Sequence, residues 1–166
     1  MNTSDNHKAL TPLVGLPLSS IGRAANMLWL NFGEMREVPW GTATRIIGDW
    51  AIHVQCTWRL YRRDRIFITS RDYYRSPDGT ALGDDWDTFG KSKFDSVARF
   101  LCSEFETNPS IVESVDCDEA GGFLIHFDDE VRLQVSPDIG VSGEQWRLFQ
   151  PGEANKHFVV GNALPK

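Results

Sequence analysis

The sequence predicts an α+β domain, in which a largely antiparallel sheet of short strands carries one principal helix. Three observations lead to this prediction. Apolar and polar residues alternate with period two in many short segments along the chain. A single longer segment, at about residues 92–107, has apolar residues at helical spacing instead. Turn-forming Gly, Asn and Asp residues separate most of the short segments, as in a meander.

The length of 166 residues fits one domain. We expect residues 9–166 to form it and residues 1–8 to be a flexible tail. No apolar run approaches the roughly 20 residues that a membrane-spanning helix needs. The first twenty residues also lack the basic start and continuous apolar stretch of a signal peptide. These features predict a cytoplasmic protein without a membrane partner; they leave its oligomeric state open.

The first half of the chain is predicted to be mostly β-structure. The predicted strands, in chain order, are residues 16–25, 27–33, 42–47, 50–59 and 65–70. A turn near Asn26 joins the first two strands, and residues 62–64 supply a hairpin turn before the last. The segment around Pro39 is predicted to be a loop.

The run from Trp50 to Arg59 is interpreted as one strand with two different faces. Its apolar face carries two indoles and is predicted to face the core. The residues on that face are Trp50, Ile52, Val54, Cys56, Trp58 and Leu60. The opposite face carries His53, Gln55, Thr57 and Arg59.

The second half of the chain is predicted to be one helix followed by a meander. Ser92 and Asp95 have the spacing of a capping box, and Pro109 follows the end of the helix. Before the helix, a turn at residues 76–79 leads into residues 80–90, which we expect to be a flexible loop. The strands predicted after the helix are residues 111–117, 123–127, 131–135, 146–149 and 157–160.

Three widely spaced cysteines predict neither a disulfide framework nor a zinc site. They are Cys56, Cys102 and Cys117. Because Cys56 and Cys102 fall on apolar faces, we expect them to be buried and unreactive. The sequence contains no glycine-rich phosphate loop, nucleophile elbow or zinc-binding helix motif. No cofactor or metal is therefore expected, and the absence of these motifs favours a protein without enzymatic activity.

Two candidate sites follow from the residue pattern. The acidic run of Asp84, Asp85, Trp86 and Asp87 has the composition of a contact site for a basic protein partner, with Trp86 as an exposed anchor. Alternatively, Trp86 only fixes an ordinary loop to the domain. The second candidate is the strand face of His53, Gln55 and Arg59, which suits a small polar ligand. The same face is equally compatible with the solvated side of a sheet.

A third candidate is the segment from Arg59 to Arg75, which has a net charge of +4 and interleaved aromatic residues. Such a segment suits nucleic acid binding. The complete chain has a net charge of −6, which argues against general affinity for nucleic acid. The charge is unevenly distributed: residues 1–75 carry +4 and residues 76–166 carry −10. Internal pairing with the acidic second half explains the arginines as well.

Residues 48–59 (GDWAIHVQCTWR), 144–149 (EQWRLF) and 157–160 (HFVV) resemble segments of small bacterial α+β domains of unknown function. Some of those domains behave like immunity or interaction proteins encoded beside toxins. The resemblance implies an α+β fold and assigns no site residues. Together with the acidic run, it favours a small non-enzymatic binding protein that recognises a basic partner. The alternatives are a ligand-binding protein or enzyme that uses the His53 face, and a nucleic acid binder.

Overall fold

The computed structural model describes residues 3–138, 140, 142–153 and 157–162. Two α-helices lie within these ranges, α1 (Thr3–Leu10) and α2 (Lys93–Thr107). The twelve strands there are β1 (Pro17–Ala24), β2 (Met27–Phe32), β3 (Arg36–Trp40), β4 (Ala43–Ile47), β5 (Trp50–Val54), β6 (Thr57–Arg62), β7 (Arg65–Thr69), β8 (Ser110–Cys117), β9 (Phe123–Phe127), β10 (Val131–Ser136), β11 (Gly143–Phe149) and β12 (Phe158–Asn162). The predicted α+β class with one principal helix is confirmed.

Ten of the strands form one antiparallel sheet in the order β12-β11-β5-β2-β1-β8-β9-β10-β6-β7. Strands β3 and β4 form a separate two-stranded ribbon. The two halves of the large sheet are joined weakly, because β1 and β8 pair only where Pro17 and Leu18 meet Ile111 and Ser110. The sheet therefore consists of two five-stranded halves, β12 to β1 and β8 to β7.

A second connection between the halves lies at the predicted strand Trp50–Arg59, which is two strands in the structure. β5 is third in the sheet and β6 is ninth, although only Gln55 and Cys56 separate them. The Gln55 N–H donates to the carbonyl of Gln145, at 2.8 Å, as the chain leaves the first half. Period-two burial continues through the break, so the apolar face predicted from sequence does face the core. The two halves thus enclose one core between them.

Two fully buried tryptophans mark the centre of this core. Trp58 donates its indole N–H to the hydroxyl of Tyr73, at 3.1 Å. Trp146 donates to the carbonyl of Gly121, at 2.8 Å, and its ring contacts Phe123 with centroids 4.9 Å apart. Buried indoles need a partner for the N–H, and both have one. These contacts join β6 to the segment after β7, and β11 to β9.

Helix α2 begins as predicted. The Ser92 hydroxyl accepts from the Asp95 N–H, and the Asp95 carboxylate accepts from the Ser92 N–H. The buried face of the helix includes Phe94 and Leu101. The helix covers the edge of β1 beyond its short pairing with β8, where the Cys102 thiol donates to the carbonyl of Ile21 at 3.5 Å. No helix in the described ranges has the length and apolar character needed to cross a membrane.

The structure differs from the sequence-based prediction in three places. Residues 3–10 form α1 instead of a tail, since Leu10 is fully buried and Asn6 is 1% exposed. The predicted loop around Pro39 belongs to β3, because an exposed ribbon tolerates a residue without an N–H. Strand β3 and the break in residues 50–59 each add one strand to the ten predicted segments, which gives the twelve strands of the structure.

Candidate functional site

The acidic run lies on a short 3-10 helix, Gly83–Asp87, which we call the acidic turn. The side chains of Asp84, Asp85 and Asp87 are exposed. Lys91 pairs with Asp85 at 2.9 Å, and Arg23 reaches Asp87 at 3.3 Å. The turn therefore presents carboxylates to solvent while two cations partly neutralise it.

The structure places Trp86 against the domain. Its side chain is half-buried and packs on the core, with its ring centroid 5.0 Å from that of Tyr74. Tyr74 in turn contacts the buried Tyr73. This arrangement corresponds to the second interpretation of Trp86, in which the indole anchors the loop. The predicted exposed anchor is thus not at residue 86.

The exposed aromatic side chain of this segment is Phe89, which is 82% exposed. It follows the acidic turn by two residues and was not identified from the sequence. A local pattern could have identified Phe89 as exposed. It lies between Thr88 and Gly90 and continues neither a strand pattern nor the helical spacing that begins at Phe94. A large apolar side chain without any such pattern has no predicted place in the core.

Arg23 fixes the acidic turn to the rest of the domain. Its guanidinium makes a bidentate pair with Asp95, at 2.7 and 2.9 Å. The remaining N–H groups donate to the Ala25 carbonyl, to the Trp86 carbonyl and to the Asp87 carboxylate. All five donors of the guanidinium are thereby used. Arg23 therefore fixes the conformation of the loop, and none of its N–H groups remains available to bind a ligand.

The Asp95 carboxylate is equally well satisfied. Besides Arg23, it accepts from the backbone N–H groups of Gly90 and Ser92, at 3.0 and 3.3 Å. Burial is the largest influence on this carboxyl and opposes its ionisation, but the hydrogen bonds from Arg23 and Ser92 outweigh it. The pKa of Asp95 is consequently lowered. One buried carboxylate thus connects the N-terminus of α2, the loop before it and β1.

Next to Phe89 lies a small apolar cleft of about 230 Å³ between β1 and α2, which we call the Phe89 cleft. Its apolar lining consists of Ile21, Gly22, Trp29, Phe89, Phe94, Ala98 and Cys102. Trp29 lies directly over Gly22, where the Cβ atom of any larger residue would come within 2.1 Å of the indole. Glycine at residue 22 therefore lets the indole form one wall of the cleft.

The His53 face is divided by the fold. His53 lies on β5 between Trp29 and Arg147 of the neighbouring strands, with its ring 4.8 Å from that of Phe149. Arg59 lies on β6, paired with Thr69 and Gln134 in the other half of the sheet. Because β5 and β6 share no neighbouring strand, Arg59 does not extend the surface around His53.

Around His53 the polar groups satisfy one another. Glu144 and Arg147 form a bidentate ion pair, Gln55 donates to Glu144 at 3.3 Å, and Arg147 donates to His157 at 3.0 Å. Burial lowers the pKa of His53, and the positive charge of Arg147 lowers it further. The imidazole is accordingly held in its neutral form. The arrangement stabilises a sheet surface at β5, β11 and β12.

The arginine segment is partly paired internally. Arg62 contacts Glu104 at 3.4 Å and Arg63 contacts Glu130 at 3.3 Å, both in the acidic second half of the chain. Of the interleaved aromatic residues, Tyr73 is only 1% exposed. A buried ring cannot stack on a base, so the segment offers fewer contacts to nucleic acid than its sequence indicated.

Buried thiols and carboxylates do not form a metal centre in the described residues. No group of three or more His, Cys, Asp or Glu side chains there has the spacing of metal ligands. Cys56 is buried, and this burial, with a smaller influence of Asp138, raises the pKa of its thiol to about 12. Burial also raises the pKa of Cys117. High pKa values disfavour the thiolate, which is the form that binds metals and reacts.

No family model, curated protein or solved structure matches this chain. Its function must therefore be inferred from its own residues.

Another exposed aromatic side chain, Trp40 at the end of the β3–β4 ribbon, differs from Phe89 in its surroundings. Trp40 is 60% exposed, but the guanidinium of Arg45 stacks on its ring at 3.8 Å. Phe89 is more exposed and borders an apolar cleft. The combination of an exposed ring, an adjacent cleft and a carboxylate-bearing turn therefore distinguishes the region around Phe89.

Proposed function

We propose that this protein is a small, non-enzymatic, cytoplasmic binding protein that recognises a basic protein partner. The contact surface consists of Phe89, the Phe89 cleft and the acidic turn. The observation that carries the proposal is the 82% exposure of Phe89 beside an apolar cleft and three exposed carboxylates. Aromatic anchors near the centre of a patch with a more polar rim are a usual arrangement in protein–protein interfaces.

Each component has a separate role in this proposal. Phe89 is the apolar anchor, because burying a phenyl ring removes more unfavourable hydration than burying any other exposed side chain of the loop. The carboxylates of Asp84, Asp85 and Asp87 attract a basic surface and raise the association rate. Lys91 and Arg23 neutralise two of them in part, so Asp84 is the carboxylate with the strongest external effect.

The contacts of Arg23 and Trp86 support recognition by a rigid surface. The Arg23 guanidinium bonds to the Trp86 carbonyl at 3.2 Å, and the Trp86 ring packs on Tyr74. Both contacts fix the backbone a few residues before Phe89. A fixed loop loses little conformational entropy on binding, which increases affinity.

An immunity-like role is one form of the proposed function. In that role the basic partner is a toxin, and the carboxylates of the acidic turn cover a cationic surface of it. The resemblance of residues 48–59, 144–149 and 157–160 to small bacterial domains, some of them immunity-like, favours this version. The His53 face has less support as a ligand site, because Glu144, Arg147 and His157 satisfy one another there.

Site-specific photo-crosslinking tests the proposal. A benzophenone amino acid is placed at residue 89 in one variant and at residue 66 in a control. Ile66 is 56% exposed on β7, in the other half of the sheet. We expect crosslinking in cells to capture a basic protein from residue 89 and not from residue 66. Capture of the same proteins from both positions, or of acidic proteins only, would contradict the proposal.

A further inference from the structure

A cavity of about 590 Å³ lies at the C-terminal end of α2, where the helix meets β6, β7 and β10. We call it the α2-end cavity. Its apolar lining includes Leu18, Leu60, Phe67, Leu101, Phe105 and Val131, and polar residues form the other half of the wall. A volume of roughly 300–1,000 Å³ is typical of small-molecule sites, and a wall of both kinds suits a ligand that has an apolar and a polar part. None of these residues lines the Phe89 cleft.

The rim of the α2-end cavity carries two neighbouring carboxylates. Asp129 accepts from the Ser110 hydroxyl at 2.6 Å and from the Val131 N–H at 3.3 Å. Asp128 accepts from the Ile111 N–H at 2.9 Å. These partners are all uncharged, and neither carboxylate forms an ion pair among the described residues, although Arg63 and Arg132 line a neighbouring cleft that Asp128 also borders. Each carboxylate has acceptor capacity left for a further donor.

The remaining polar groups at the rim also favour a cation. Glu104 lines the cavity and pairs with Arg62 at 3.4 Å, which leaves the two Asp charges unbalanced. Helix α2 ends at Thr107, and its C-terminus carries the negative end of the helix dipole. The two carboxylates and the negative end of the helix dipole therefore lie at the same opening, and all of them attract a cation.

We propose that the α2-end cavity binds an amphiphilic organic cation, in which an alkyl or aryl group fills the cavity and an ammonium group lies at Asp128 and Asp129. The apolar walls determine the preference for a hydrophobic body, and the unbalanced carboxylates determine the sign of the head group. The ammonium donates to carboxylate oxygens that Ser110, Ile111 and Val131 leave available. This site is independent of the protein-binding surface at Phe89.

The test compares three probes of equal chain length, octylammonium, octanoate and 1-octanol, each below its micelle or solubility limit. Binding to the complete protein is followed by amide chemical shifts in NMR titrations. We expect saturable shifts for residues around the cavity with octylammonium, and at least tenfold weaker binding of octanoate. Equal binding of the three probes would overturn the choice of a cation. The absence of saturable shifts with octylammonium would overturn the proposal that the cavity binds such a ligand.

Two variants locate the binding. Asp128→Asn keeps an acceptor for the Ile111 N–H and removes the charge, so we expect octylammonium binding to weaken at least threefold. Thr107→Trp places a ring at the mouth and should abolish the shifts. As the control, Glu119→Gln removes an exposed charge in the turn between β8 and β9, at a residue that does not line the cavity, and should leave binding unchanged. Equal losses in the Asp128 and Glu119 variants would show only general electrostatic attraction and would overturn the proposal.

Discussion

Arg23 and Asp95 form a bidentate ion pair in which the two side chains are only 3% and 1% exposed. They are 72 positions apart in the chain. The pair connects the end of β1 with the first turn of α2, and through Asp87 and the Trp86 carbonyl it also holds the acidic turn. A feature of the core therefore determines the shape of the proposed binding surface.

Replacing Arg23 tests this coupling. Arg23→Met leaves a buried carboxylate without its cation, and we expect the free energy of unfolding to fall by about 3–5 kcal/mol in urea titrations. The double variant with Asp95→Leu removes both charges and should recover part of that loss. An Arg23→Met variant as stable as the wild type would show that the pair does not hold the domain together.

The contact between Gly22 and Trp29 gives a second prediction. A Cβ atom at residue 22 would lie 2.1 Å from the indole, so Gly22→Ala must displace Trp29. We expect Gly22→Ala to cost about 1–3 kcal/mol of unfolding free energy. In a Trp29→Ala background the same change should cost less than about 1 kcal/mol, because the clash is absent. Equal costs in both backgrounds, measured by thermal and urea unfolding, would refute the contact.

The environment of His53 predicts a pH-dependent stability. Burial, followed by the charge of Arg147, lowers the pKa of His53, so the unfolded chain binds a proton at higher pH than the folded one. The stability that comes from a neutral His53 is fully present above about pH 6.5, the pKa of histidine in the unfolded chain. This stability is lost as the pH falls from there through the lower pKa of His53 in the folded protein.

The measurement compares wild type and His53→Gln in urea at pH 7.5 and pH 5.5. Wild type should lose more stability on acidification than the variant. His7→Gln, at an exposed position on α1, serves as the control and should behave like wild type. An identical pH response of wild type and His53→Gln would exclude His53 as the responsible group.

Cys56 should resist thiol reagents while the protein is folded. Its burial, which raises the pKa of the thiol to about 12, removes both access and thiolate at neutral pH. Alkylation in native buffer and in urea, followed by peptide mass spectrometry, measures this protection. We expect Cys56 to be labelled at least tenfold more slowly in native buffer. Equal rates in the two conditions would mean that the β5–β6 connection opens freely.

Local patterns explain which parts of the fold could be predicted. The capping residues of α2 lie three positions apart, and the β1–β2 hairpin depends on adjacent residues, so both follow from the sequence alone. The break at Gln55 could not be predicted, because period-two burial continues across it. Helix α1 was missed because six of its eight residues are polar and only Leu10 marks its core side.

The candidate site was predicted only in part. The acidic turn was identified by composition, but Trp86 was expected to be its exposed ring, whereas the structure packs Trp86 on the core and exposes Phe89. Composition does not tell which of two rings faces the core. The division of His53 from Arg59 depends on strand order, which no local pattern contains. The Arg23–Asp95 pair depends on contacts across 72 positions and was likewise outside the reach of local patterns.

The central claim is that Phe89 anchors a basic protein partner with help from the acidic turn. It is tested most directly by the Kd of the purified, crosslink-identified partner for wild type, Phe89→Ser and the exposed control Ile66→Ser. We expect Phe89→Ser to weaken binding by about 2 kcal/mol or more, which is roughly thirtyfold, and Ile66→Ser to have no effect. All three proteins should have similar unfolding midpoints. A change of less than about threefold for Phe89→Ser, or equal losses for both variants, would contradict the claim.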